Sequence, residues 1–211
     1  MIVGYSRLFV PASISYQASY EDQTSQTTYT FASSAFGTAN ASRRVIIGIS
    51  SAIVGSATIS SVTIGGVSAT ISVQATQGTR AVTGIAIASV PTGTTGSVVI
   101  TFSNAMLRCA IGVWATYDLQ SNTATATTSS VANPLALSLN VLAGGVALGC
   151  LYDNNVGAGV VWTGFTERYD FGAQGRYSGA DYTASAAQTP LSVTATATAA
   201  ADTGGVAAAF R

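Results

Sequence analysis

The sequence predicts an all-β fold, an antiparallel two-sheet sandwich of jelly-roll type with an N-terminal arm, on three observations. From Tyr29 almost to the end, apolar residues alternate with Ser, Thr or Gly, the period of strands with one buried face. The alternating runs are short and separated by Gly, Pro, Asn or Ser, as in sandwiches and barrels. No stretch carries a helical period, and β-branched residues dominate throughout.

Residues 1–28 read as an N-terminal arm or, with equal weight, as the first edge strand. SRLFVPASISYQ is extended in character, whereas ASYEDQTSQTT (Ala18–Thr28) is polar without a period. Residues 29–211 are expected to form a single sandwich domain. In RRVIIGIS, Val45, Ile47 and Ile49 share one face. ISSVTIGGVSATISV alternates up to Gly65-Gly66 and away from it again. That spells a hairpin whose two-residue turn needs positive φ at both centres. RAVTGIAIASV is apolar on both faces and suits a central strand. Beyond the Pro91 loop, SVVITFS turns Val98, Ile100 and Phe102 inward, and LRCAIGVWATY follows.

LALSLNV places Leu135, Leu137, Leu139 and Val141 on one face, and Gly144-Gly145 is expected to top a hairpin into VALGCLY. GVVWTGF, TERYDFG, RYSGADYTAS, PLSVTATAT and GGVAAAF bring the count to roughly eleven to thirteen strands. That exceeds an immunoglobulin domain and suits a jelly roll. The facing sides of the two sheets are expected to hold Val45, Ile47, Ile71, Ile100, Ile111, Leu137 and Leu148.

Composition narrows the function. Only 8% of the 211 residues are charged, against about 25% in ordinary domains. Lys and His are absent, and eight Arg balance eight acidic residues. A neutral chain has no long-range pull toward nucleic acid or a membrane surface, so neither is expected as a partner. The longest apolar run, VLAGGVALGCLY, falls short of a membrane helix. The opening residues carry no pattern of a secretion signal, so folding in the cytoplasm where the chain is made is expected. Cys109 and Cys150 sit on apolar strand faces and read as buried free thiols.

Without His the commonest general base and metal ligand is missing, and without Lys so are Schiff-base and phosphate-loop chemistry. A glycosidase pair among Asp153, Glu167, Asp170 and Asp181 is the remaining catalytic option. Against it, Asp153 lies in the turn string YDNNVG, and Glu167, Arg168 and Asp170 alternate with Tyr169 and Phe171 as a solvent face would. A calcium site from Asp153, Asn154 and Asn155 lacks the usual number of acids. The aromatic group Trp162, Phe165, Tyr169, Phe171, Tyr177 and Tyr182 suits a core or subunit interface better than a sugar-stacking platform. No catalytic, cofactor-binding or metal residue is assigned, and no enzyme activity is expected.

The strings TYTFASSAFGTANASRRVIIGIS and ISSVTIGGVSATISV, with WTGFTERYDFG and a terminal apolar strand ending at Phe210-Arg211, resemble small structural proteins of tailed-bacteriophage and prophage virion modules. The resemblance covers Tyr29 to Arg211 as an order of patterns. It implies a decoration or fibre-like virion component, more on the head than on the tail, acting as an oligomer through contacts with capsid or other virion proteins. A trimer is the first expectation for a viral jelly roll. The alternative it leaves is a carbohydrate- or receptor-binding module of a tail fibre or spike.

Overall fold

The computed structural model describes residues 10–155, 159–198 and 202–211, and no helix occurs among them. The first half contributes β1 (Ser13–Asp22), β2 (Gln26–Ala35), β3 (Arg44–Ala52), β4 (Ile59–Ile64), β5 (Val67–Ser68), β6 (Thr70–Gln77), β7 (Ala81–Ser89), β8 (Thr95–Met106) and β9 (Arg108–Tyr117). The second contributes β10 (Ala126–Ser130), β11 (Leu135–Val141), β12 (Val146–Asp153), β13 (Val160–Thr163), β14 (Thr166–Phe171), β15 (Arg176–Thr183), β16 (Gln188–Ala197) and β17 (Thr203–Phe210).

Each half is a long hairpin rolled upon itself, the plan of a jelly roll. In the first, β1 pairs with β9, β2 with β8, β3 with β7 and β4 with β5, all antiparallel. In the second, β10 pairs with β17, β11 with β16 and β12 with β15. The inner sheets run β1-β9-β3-β7-β6 and β10-β17-β12-β15-β14, and the outer sheets β2-β8-β4-β5 and β11-β16-β13. The strand order is thus the same in both halves.

The sheets stack in four layers, outer–inner–inner–outer, with three cores between them. Val45, Ile47, Ile100 and Ile111 fill the first core, between the N-terminal sheets. Ile46, Ile85, Trp114, Leu148 and Cys150 fill the middle core, between the inner sheets of the two halves. Leu137, Leu151, Trp162 and Val193 fill the third.

All-β antiparallel sandwich packing is as the sequence predicts, but the expected single two-sheet sandwich is in fact two, back to back. The reason is visible in the strands. Every residue of β12 and β17 is buried, as is all of β3 after Arg44, so these strands have no solvent face. Of the residues expected to share one core, Leu137 and Leu148 belong to two others, and Ile71 lies at the border of the first.

Of the two readings of residues 1–28, Ser13–Asp22 takes the second: it is the edge strand of the N-terminal inner sheet, and Gln26 already begins β2. Its polar residues belong on an edge open to solvent. The remainder of the expected arm, residues 1–9, lies outside the described residues. Gly144-Gly145 is not a hairpin tip, because β11 pairs with β16 while β12 pairs with β15 and β17. The chain changes layers there, and alternation alone cannot distinguish a hairpin from such a corner. The Gly65-Gly66 turn is as predicted, with φ of 60° and 80° and Ile64 opposite Val67.

Candidate functional site

Three of the four acidic candidates, Asp153, Asp170 and Asp181, are held by hydrogen bonds. Asp153, at the end of β12, is 1% exposed. One carboxylate oxygen accepts the Asn155 N–H at 2.7 Å, and the other accepts the Thr203 hydroxyl. Asp170 accepts two bonds from Arg176, at 2.6 and 2.8 Å. It is largely buried, not on the open solvent face that the alternation of β14 suggested, because Arg176 and the Val160 N–H enclose its carboxylate. Asp181 accepts two bonds from Arg168 at 2.8 Å each and one from the Trp114 indole N–H at 2.8 Å. Glu167 carries a raised pKa, first from burial and then from the charge of Asp170. No group of three or more His, Cys, Asp or Glu gathers among the described residues to hold a metal.

The aromatic group is divided by the C-terminal inner sheet. Trp162 and Phe165 stack in the third core and Phe165 continues the stack to Tyr182, while Tyr169, Phe171 and Tyr177 join the middle core. Trp162 donates its indole N–H to Ser178 at 2.8 Å. These rings are packing residues. The cysteines are free and buried, and burial pushes both thiols up to about 12.

Two surface features stand out instead. The first is the placement of charge. No strand of either outer sheet contains a charged residue, whereas the inner-sheet strands carry Glu21, Asp22, Arg44, Arg108, Asp153, Glu167, Arg168, Asp170, Arg176 and Asp181. Solvent faces normally hold the charges; here the order is inverted. On the N-terminal outer sheet, Thr28, Thr101 and Ser61 form one cross-strand row and Thr30, Val99 and Thr63 the next. On the C-terminal outer sheet, Ala136, Thr194 and Thr163 align in the same way. The slab therefore presents two neutral, hydroxyl-rich faces on opposite sides.

The second is a groove of about 340 Å³ between the β4–β5 turn and the loop leading into β8. Its apolar wall comes from Phe36, Val67 and Val90, and its rim from Thr92, Thr95 and Ser97. Glycines let its wall pack closely: a Cβ at Gly96 would collide with the Phe36 ring, and one at Gly65 would lie 3.0 Å from Val90. In the sequence this region reads only as a hairpin turn and a Pro-Gly-Thr loop, because the groove exists only once β4 and β8 lie side by side.

Against family models, curated proteins and solved structures, the chain has no match.

Proposed function

We propose that this protein is a non-enzymatic structural component of a tailed-bacteriophage virion, a capsid decoration or head-associated protein that works through subunit and shell contacts. The observation that carries this reading is the pair of charge-free outer sheets. Covering such a face removes hydroxyls and small apolar groups from water, and hydroxyls exchange hydrogen bonds readily across an interface. No ion has to be desolvated, which is the step that most opposes close protein contact.

The four-layer stack adds rigidity, since a middle core joins the two sandwiches across their inner sheets. In this reading the partners are other copies of the chain, with closed symmetry such as a trimer, and capsid proteins of the particle, with neither nucleic acid nor membrane involved. The second reading, a carbohydrate- or receptor-binding module of a tail fibre or spike, is favoured by one feature, the groove beside the β4–β5 turn.

The test is to mix purified protein with particles that lack it and to measure occupancy at low and high salt. Attachment through neutral faces should hold up when salt is raised, because few charges are there to be screened. A protein that never co-sediments with particles, or that turns over a glycan, contradicts the structural reading.

A further inference from the structure

The groove is backed by a buried cation that assembly through the outer faces leaves unused. Arg43 is 1% exposed. Its guanidinium donates only to backbone carbonyls: Nε to Val90 and Nη1 to Gly37, each at 2.7 Å, and Nη2 to Thr92 at 2.7 Å and to Gly93 at 2.6 Å. No acidic group is bonded to it or paired with it among the described residues. Its hydrogen bonds are satisfied but its charge is not balanced, and a buried charge ordinarily has a counter-ion.

Those bonds also orient the loop. A trans peptide points its N–H opposite to its C=O. With the Thr92 and Gly93 carbonyls drawn onto Arg43, the N–H groups of Gly93 and Thr94 are turned away from it. Neither has an acceptor among the described residues. Gly93 has a φ of 70°, the left-handed turn in which successive N–H groups form an anion-binding nest. Thr92 and Gly93 both line the groove. Gly93, in the loop that Arg43 holds, thus borders a cavity at the small end of ligand sites.

We propose that this groove binds a sugar acid, a single hydroxylated ring bearing one carboxylate. The carboxylate sits on the Gly93 N–H, unpaired among the described residues, in the loop that Arg43 holds. The C–H face of the ring lies on Val67, with only the edges of Phe36 and Val90 beneath it, and its hydroxyls meet Thr92, Thr95 and Ser97. The loop needs no rearrangement, since Arg43 already fixes it. The proposal does not depend on the virion reading and holds or fails separately from it.

The experiment is amide NMR of the full chain titrated with glucuronate, with glucose and acetate as separate arms. Glucuronate should move the Gly93, Thr94 and Thr95 amide resonances in a saturable way. Glucose, which lacks the charge, and acetate, which lacks the ring, should each bind about tenfold more weakly or less, the worth of one charge-assisted contact. Val67→Glu places a like charge at the rim, where Val67 is already 42% exposed, so the protein should stay folded and lose glucuronate binding at least as strongly. Three results would each overturn the proposal: no saturable shift at these amides, glucose or acetate binding as tightly as glucuronate, or Val67→Glu with full affinity.

Discussion

The two sandwiches follow the same strand order but fill their cores differently. The N-terminal core is built from branched aliphatics on β3, β8 and β9, such as Val45, Ile47, Ile49, Ile100 and Ile111, with Tyr29 and Phe102 edge to face. The C-terminal core lines β16 and β17 with Ala195, Ala197, Ala207 and Ala209 and fills the remaining space with Leu137, Trp162 and Phe165. A Cβ at Gly149 would come within 3.1 Å of the Trp162 ring, so the bulk of the indole sits where β12 has no side chain. The rolled topology therefore follows from where strands alternate and where turns fall, while volume is shared among side chains in more than one way.

The sharpest way to break this comparison is to separate the halves. Residues 10–119 and 120–211 expressed alone should each fail to form a cooperatively folded monomer. Each would expose its side of the middle core, including Ile46, Ile85 and Trp114 on one half and Leu148, Cys150 and Phe210 on the other. Loss of near-UV circular dichroism and binding of a hydrophobic dye are the readouts, and a well-folded half would show that the middle core is only a docking surface.

A smaller effect is expected at the joint itself. Asp181→Ala leaves the Trp114 N–H and the Arg168 guanidinium without their acceptor, and Asp181 is 2% exposed. Denaturant titration should show a loss of about 3 kcal/mol. Asp170→Ala, in a pair within the C-terminal half whose carboxylate is 11% exposed against 2% for Asp181, should lose less, about 1 kcal/mol. Equal losses would mean that the inter-half network has no special weight.

The mildest probe is alkali. Burial raises the Cys109 and Cys150 thiols to about 12, so the folded protein keeps both protonated where the unfolded chain ionises them. Their contribution is complete below the ordinary thiol range near 9 and is lost as pH climbs toward 12. Denaturation midpoints should be level near neutrality and fall above about pH 9. Cys109→Ala and Cys150→Ala, in the first and middle cores respectively, should each reduce that slope. A midpoint that rises with pH contradicts the burial of neutral thiols.

Much of this fold is legible in the sequence, and the illegible part has a physical cause. Period-two alternation locates strands such as β3 and β8, and Gly65-Gly66 marks its turn. The doubling of the sandwich is harder to read. A strand buried on both faces, such as RVIIGISSA or VALGCLYD, looks the same whether it is central in one sheet or sandwiched between two layers. The repeated strand order leaves no repeated sequence, since Ile and Val in one core stand where Ala and Trp do in the other. The outer faces were partly legible as low charge and Ser/Thr richness, but their segregation from the charged strands needs the pairings. The groove was not legible, because Arg43 and the carbonyls of Val90, Thr92 and Gly93 are far apart in the chain.

The central claim, that neutral outer faces drive assembly, is tested most directly by sedimentation of the purified protein and of face-charged variants. Thr30→Glu with Thr101→Glu marks the N-terminal face, and Ser138→Glu with Thr194→Glu marks the C-terminal one; all four residues lie outside the cores. The unaltered protein should sediment as an oligomer. At least one variant pair should sediment as a monomer with an unchanged circular dichroism spectrum. An unaltered protein that is monomeric at every concentration, or an oligomer indifferent to charge on both faces, would contradict the account.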